Sequence, residues 1–307
     1  MKYLITGGAG FIGSNLSRRL LETGNSIICL DDLSTGKRSN VKELEKNPDF
    51  DFVEHDLTKP FFPDNIDAIF NLACPASPVH YQYNPIRTLK MGTLAMYNVL
   101  GMAARQNIPV LQASTSEVYG DPKEHPQSEA YWGHVNPIGP RACYDEGKRV
   151  AEALCMAYQE YSGVKIRIAR IFNTYGPFMD SKDGRVVSNF IVQALREEPL
   201  TVYGSGEQTR SFCYIDDLVE GLILLMASNY TQPVNLGNPS EYSIRDLAEN
   251  VIELTRSKSK IIYEKLPIDD PQKRCPNIDL AKEVLHWSPK TPLVEGLNKS
   301  IDWFRRL

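Results

Sequence analysis

Two hydrophobic rhythms alternate along the first half of the chain. Short, nearly continuous apolar runs recur, and between them apolar residues return every three or four positions. The runs at 2–6, 26–31, 51–56, 66–73, 110–115 and 164–172 read as strands, and the stretches at 14–23, 85–106 and 150–161 as helices. Near-continuous apolar strands separated by helices predict a parallel sheet covered on both faces, with ligands held beyond the C-terminal strand ends. After about residue 175 the rhythm loosens. Shorter elements at 186–196, 200–203, 215–226, 234–236, 244–255, 260–263 and 293–304 are separated by Pro, Gly and charged turns. The expected fold is α/β, a Rossmann-like doubly wound parallel sheet over residues 1–174. A smaller C-terminal substrate-binding region, 175–307, is expected to interleave with it.

The first strand runs straight into Gly7-Gly8-Ala9-Gly10-Phe11-Ile12-Gly13 and then a helix. Glycines there let the backbone approach a pyrophosphate, and the helix N-terminus offers it free N–H groups. Asp31 closes the second strand, where a carboxylate accepts a hydrogen bond from a ribose 2′-hydroxyl and repels a 2′-phosphate. This favours NAD over NADP, although Lys37 and Arg38 follow shortly after. Asp56 and Leu57 end the third strand, within reach of an adenine.

The chain has 307 residues, 42% hydrophobic and 23% charged, with a formal net charge of −4, so composition gives no case for a nucleic-acid partner. The six cysteines show no CxxC pair and the five histidines no ligand spacing, so neither a disulfide framework nor a metal site is expected. The opening residues lack the zones of a signal peptide, and no apolar run is long enough to span a bilayer, so a cytoplasmic protein is expected.

Three Tyr-x-x-x-Lys spacings occur, at Tyr119, Tyr144 and Tyr161. Turn residues interrupt the first and third; Tyr144 and Lys148 alone sit where helical spacing puts both on one face. An ammonium beside a phenol favours the phenolate, a general base for an alcohol.

These features together resemble the extended short-chain dehydrogenase/reductase family. The resemblance rests on the Gly-rich turn, Asp31, STSEVYG at 114–120, the Tyr144–Lys148 pair and RIFNTYGP at 170–177. Longer runs resemble the branch of that family that decarboxylates UDP-glucuronate. They are LACPASP at 72–78, HVNPIGPRACY at 134–144, GRVVSNF at 184–190, GEQTRSF at 206–212 and DPQKR at 270–274.

The resemblance implies conversion of UDP-glucuronate to UDP-xylose through a 4-keto intermediate, with NAD reduced and reoxidised in one cycle. It implies catalytic roles for Thr115, Glu117, Tyr144, Lys148 and Arg274, the last facing the departing carboxylate. Cofactor contacts are implied at Gly7, Gly10, Phe11, Ile12, Gly13, Asp31, Asp32, Asp56, Leu57, Leu72, Ala73, Lys90, Ala113, Tyr144 and Lys148. Substrate contacts are implied at Pro75, Ser116, Asn173, Arg185, Asn189, Thr201, Tyr203, Gln208, Arg210 and Arg274. A homodimer is implied too, built on the helices at 85–106 and around Tyr144, with Leu94, Tyr97, Met102, Val150, Leu154 and Tyr158 as apolar positions that serve either a dimer or the core.

The triplet Thr115-Ser116-Glu117 discriminates within the family. Related 4,6-dehydratases carry Thr-Asp-Glu, the Asp acting as an acid, and 4-epimerases usually lack the Glu. Glu117 also fits a buried structural carboxylate, and the arginines also fit solvated surface charges. One departure stands out: KMGTLAM at 90–96 places Met91 and Gly92 where the family usually has Thr and Asn, the Asn bracing the region of the catalytic Lys. Cys275 replaces a usual Lys.

Overall fold

The computed structural model describes residues 1–265 and 273–307. In chain order the first half contains β1 (Lys2–Thr6), α1 (Phe11–Glu22), β2 (Ser26–Asp31), β3 (Phe50–Glu54), β4 (Ala68–Asn71), α2 (Pro78–Tyr83), α3 (Pro85–Lys90), α4 (Met96–Gln106), β5 (Val110–Thr115), α5 (Ala142–Ser162) and β6 (Ile166–Ile171). The rest contains β7 (Thr174–Tyr175), α6 (Val186–Leu195), β8 (Leu200–Tyr203), β9 (Thr209–Ser211), β10 (Cys213–Tyr214), α7 (Ile215–Ala227), β11 (Pro233–Leu236), β12 (Glu241–Ser243), α8 (Ile244–Thr255), β13 (Ile261–Glu264), β14 (Lys273–Arg274), α9 (Asp279–Leu285) and α10 (Leu293–Phe304).

Seven strands form one sheet in the order β11-β6-β5-β4-β1-β2-β3, with every neighbouring pair parallel. The continuous apolar strands are explained by the two cores they serve. Ile5, Ile27, Phe70, Leu111 and Ala169 pack on one face with Leu16 and Leu20 of α1 and Leu218 and Leu222 of α7. Their sequence neighbours Leu4, Ile28, Ile69, Val110 and Ile168 pack on the other with Val99 and Leu100 of α4 and Ala151 and Cys155 of α5. Each such Leu, Ile, Val or Phe side chain contributes about 1.5–3 kcal/mol through burial. The parallel register puts the C-terminal ends of β1, β2, β4 and β5 along one edge, where the loops that follow them meet.

Residues 233–236, from the stretch expected to hold substrate, return to this sheet as β11 beside β6. Around the sheet's C-terminal edge, β12-β9-β14 and β13-β8 form two small sheets. Arg210 of β9 and Arg274 of β14 are paired across the first of them.

The helix expected over 85–106 is interrupted. Between α3 and α4, residues Met91–Ala95 form a π-helical turn. Such a turn widens the helix locally and is common at functional sites. At Gly92 a side chain would overlap the main chain of Gly147 in α5. The two helices therefore touch backbone to backbone one residue before Lys148, at the position where the resemblance implied an Asn. Helix α5 itself begins at Ala142, so Tyr144 and Lys148 do lie one turn apart.

Candidate active site

One cavity of about 670 Å³ opens along the C-terminal edge of the sheet. Its floor is the turn after β1. Gly7 has φ +67°, and a Cβ on it would sit 2.8 Å from the backbone of Ala73. Gly13 is pressed against the carbonyl of Gly7, with no room for a side chain. Helix α1 starts without a side-chain cap and without an acidic residue in its first turn, so its leading N–H groups are left for an anion.

Asp31 is 6% exposed, and its carboxylate accepts from the amides of Ala9 at 3.0 Å and Leu33 at 2.8 Å. Burial raises its pKa, against the pull of those amides. Lys37 is held by Asp180 at 2.7 Å and Arg38 by Glu45 at 3.0 Å, so both cations near the ribose end are already paired. This arrangement fits a 2′-hydroxyl better than a 2′-phosphate.

At the other end, α5 presents Tyr144, 5% exposed, and Lys148, also 5% exposed. The Tyr144 ring is stacked on Tyr81, 5.0 Å between centroids at 6°. Lys148 Nζ donates to the Ala113 carbonyl at 2.7 Å and stands 5.7 Å from the Tyr144 ring centroid. The net shift of the Tyr144 phenol is upward. Burial pushes this phenol above its ordinary value, the nearby Cys74 adds to the rise, and a hydrogen bond with Thr115 opposes it. Desolvation costs the phenolate more than its polar neighbours return.

Thr115 ends β5 and caps the short turn that carries Ser116 and Glu117. Glu117 forms ion pairs with both Arg141 and Arg274. Burial raises the pKa of the Glu117 carboxyl, but Arg274 and then Arg141 outweigh it and hold the group below the usual range. Arg274 is 3% exposed, donates to Ser116 Oγ at 3.2 Å and to the Gly120 carbonyl at 2.8 Å, and keeps a buried Nε with no partner among the described residues. Next to Tyr144, Asp145 is pushed up to about 7, first by burial and then by the charge of Glu117. Of the motif expected to end at Arg274, Asp270, Pro271 and Gln272 lie outside the described residues.

The cavity wall brings together Gly7, Gly10, Phe11, Ile12, Gly13, Asp31, Asp32, Leu57, Leu72, Ala73, Ala113, Thr115, Tyr144 and Lys148. It also carries Pro75, Ser116, Glu117, Asn173, Arg185, Thr201, Tyr203, Gln208, Arg210 and Arg274. Three expected contacts do not line it. Lys90 points to solvent on the last turn of α3, where the π turn places Met91 on the wall instead. Asp56 binds the amide of Thr58 and the guanidinium of Arg87 beside the cavity. Asn189 Nδ2 donates back to the Gly184 carbonyl, which closes the turn before α6. Arg185 lines the cavity with its guanidinium engaged by Asp183.

Sequence reasoning missed Tyr81 and Arg141. Tyr81 follows LACPASP by a few residues, and Arg141 lies inside HVNPIGPRACY, so both stood in or beside motifs already marked. Their roles are set by contacts across the fold, which spacing does not encode.

Known proteins resemble this chain over its whole length. UDP-glucuronic acid decarboxylase 1 of Xenopus tropicalis is 55% identical over 305 residues, covering 99% of this chain and 72% of that protein. UDP-glucuronic acid decarboxylase 6 of Arabidopsis thaliana is 53% identical over 306 residues, covering 99% and 89%. Among solved structures, a UDP-glucuronic acid 4-epimerase of Bacillus cereus with UDP-glucuronic acid and NAD superposes with a TM-score of 0.89 at 27% identity, covering 100% and 99%. The sequence pattern of the NAD dependent epimerase/dehydratase family matches residues 3–237, and with a parallel sheet, a Gly-rich turn and a Tyr144–Lys148 pair at one cavity, the chain belongs to that family.

Proposed function

We propose that this protein is an NAD-dependent UDP-glucuronate decarboxylase that forms UDP-xylose with no net redox change. The observation that carries this reading is the placement of Arg274. A buried guanidinium, held by Glu117, Ser116 and the Gly120 carbonyl, stands on the wall that carries Tyr144. A guanidinium there suits a carboxylate on the sugar, and a serine at 116 suits it too, since an acid in its place would repel that carboxylate.

The Gly7–Gly13 backbone fits a pyrophosphate, and Asp31 with Asp32 fits an adenosine ribose. NAD, when bound, supplies the acceptor and later the donor of a hydride and a positive charge on the nicotinamide. Lys148 holds the nicotinamide ribose. With Lys148 and the nicotinamide charge beside it, Tyr144 would act as the phenolate that burial alone disfavours and take the proton of the sugar C4 hydroxyl, with Thr115 bonded to the same oxygen. The C4 ketone then lies β to the C6 carboxylate, so the C5–C6 bond breaks with its electron pair delocalised into the carbonyl, and CO₂ leaves. C5 takes up a proton from solvent water, and Tyr144 returns its own proton to the C4 oxygen as the ketone is reduced. Glu117, ionised between two guanidiniums, serves as an anchor for Arg274 and is a poor proton donor.

Arg185, Arg210 and Asn173 serve the UDP phosphates and uridine, with Thr201 and Tyr203 along the base. Residues 1–174 form the cofactor half and 175–307 the nucleotide-sugar half, interleaved through β11. The described residues contain no helix long and apolar enough to cross a membrane, and all six cysteines are free thiols, which suits a reducing cytoplasm. The protein works as a homodimer through the exposed faces of α3, the π turn, α4 and α5. Leu94, Tyr97 and Val150 are 49%, 59% and 40% exposed there, whereas Met102 is wholly buried and belongs to the core. A monomeric mass at micromolar concentration would overturn the dimer.

The activity is tested by incubating the protein with NAD and UDP-glucuronate, without reductant, and following CO₂ release and the product by NMR. UDP-xylose and CO₂ are expected. UDP-galacturonate without CO₂ would make the protein a 4-epimerase, and no CO₂ at all would sink the decarboxylase reading.

A further inference from the structure

Arg274 belongs to a two-residue strand, β14, whose one strand partner among the described residues is β9. So short a pairing is a weak brace for a guanidinium that must meet a reacting carboxylate, because catalytic groups have to be held to within about 0.5 Å. The brace on the other side of the segment comes from Gln127, which does not line the cavity.

Gln127 is wholly buried. Its side-chain Oε1 accepts from the Cys275 amide at 3.0 Å, and its own amide donates to the Cys275 carbonyl at 2.9 Å. Its carbonyl accepts from the Asn277 amide at 2.8 Å, and its Nε2 donates to the Glu124 carbonyl at 2.7 Å. Both backbone groups of the residue after Arg274 are therefore tied to this one glutamine.

The tie continues inward. Asn235, also wholly buried, donates from Nδ2 to the Gln127 carbonyl at 3.0 Å and accepts from the Tyr119 hydroxyl at 2.8 Å. Arg170 donates to that hydroxyl at 3.0 Å and grips Glu152 with two bonds of 3.0 and 2.8 Å. Glu152 also accepts from Ser114 Oγ at 2.5 Å. Glu152 follows Tyr144 and Lys148 at four-residue steps on one face of α5. A continuous chain of hydrogen bonds, partly buried at Arg170 and Glu152 and buried at Tyr119 and Gln127, thus runs from the catalytic helix to the strand of Arg274.

We infer that Gln127 is a positioning residue for Arg274, and that the chain through Asn235, Tyr119, Arg170 and Glu152 fixes that guanidinium relative to Tyr144. The inference rests on the decarboxylase reading for its catalytic consequence. Oxidation at C4 needs Tyr144 and the cofactor, whereas loss of CO₂ needs the carboxylate held by Arg274. Loosening Gln127 therefore slows the second step and spares the first.

The test uses the full chain with NAD. Gln127→Leu should lower CO₂ release roughly tenfold to a hundredfold, with NAD affinity within about twofold, and NADH absorbance should build up during turnover as the 4-keto acid waits. In an Arg274→Ala background the same change should cost less than about twofold, since residues acting through one another are non-additive. An unchanged rate, or an equal loss with and without Arg274, overturns the inference. Gln127→Met, close to glutamine in volume, takes its place should the leucine variant fail to fold. A readout free of turnover is alkylation of Cys275, 3% exposed, against Cys155, which is wholly buried. Either Gln127 variant should speed labelling of Cys275 about tenfold and leave Cys155 unchanged, and equal labelling in variant and wild type counts against the brace. Wild-type protein that releases no CO₂ would defeat the decarboxylase reading, while the labelling would still judge the brace.

Discussion

Arg274, which is buried, and Glu117, which is partly buried, form an ion pair across the cavity wall, joining β14 to the turn that follows β5. Arg141 completes the clamp from the N-cap of α5. Three elements far apart in the chain are thereby locked together at the place where chemistry is expected.

Glu117→Gln removes one charge from between two guanidiniums. Breaking one partner of a buried pair costs about 3–5 kcal/mol, because the other charge is left uncompensated. The variant should melt well below wild type. The pH dependence follows from the depressed pKa of Glu117: its stabilisation is present above the unfolded value of about 4.3 and is lost as pH falls through the folded value. Wild type should therefore lose stability in acid more steeply than Glu117→Gln. Parallel Tm-versus-pH curves for the two proteins would contradict the clamp.

Asp145 behaves in the opposite sense. Its folded pKa is about 7, against 3.8 for the free group, so the fold favours the protonated acid. That contribution is present in full below 3.8 and is lost as pH rises to about 7, above which the protein carries a poorly solvated carboxylate beside Glu117. Its Oδ1 is buried without a partner among the described residues, consistent with that cost. Asp145→Asn should raise Tm by a few degrees at pH 8 and leave it nearly unchanged at pH 4, as calorimetry at the two pH values can establish. A gain of the same size at both would show that the effect is not ionisation.

The sheet was legible because period and burial coincide. Leu4 and Ile5, Ile69 and Phe70, or Val110 and Leu111 face opposite cores, so each strand reads as an unbroken apolar run. The Gly-rich turn was legible because close backbone approach admits few alternatives. The clamp on Glu117 was not, since Arg141, Glu117 and Arg274 meet only after β14 folds back over the sheet. Nor was the π turn: from the sequence, Gly92 read only as a missing Asn, whereas the fold uses it as the contact point of two backbones.

That contact yields a paired prediction. In a helix interior Gly→Ala ordinarily stabilises by about 1 kcal/mol. Gly101 in α4 has open space around a would-be Cβ, so Gly101→Ala should show that gain. At Gly92 the added carbon would overlap the main chain of Gly147, which cannot swing aside as a side chain could. Gly92→Ala should lower Tm and weaken NAD binding, because α5 must shift at the residue preceding Lys148. Equal stabilisation at both positions would mean that the two helices do not meet as described.

Tyr144→Phe isolates the hydroxyl from everything else the residue does. The ring stacks on Tyr81 at 5.0 Å and nearly parallel, and phenylalanine keeps that stack. What disappears is the hydroxyl that faces Thr115, and with it the proton-transfer group of the proposed mechanism. Loss of a general acid–base group costs about 10²–10⁴ in rate. In the proposed mechanism one hydroxyl acts twice, taking the C4 proton and later returning it, so the loss should lie at the upper end of that range. NAD affinity should stay within about twofold, because Lys148 keeps its bond to the Ala113 carbonyl and the Gly7 turn is untouched. Turnover measured by CO₂ release, with NAD binding measured on the same preparation, checks both halves. Substantial activity remaining in Tyr144→Phe would move the base elsewhere, and Asp145, titrating near neutrality on the same helix turn, would be the group to examine next.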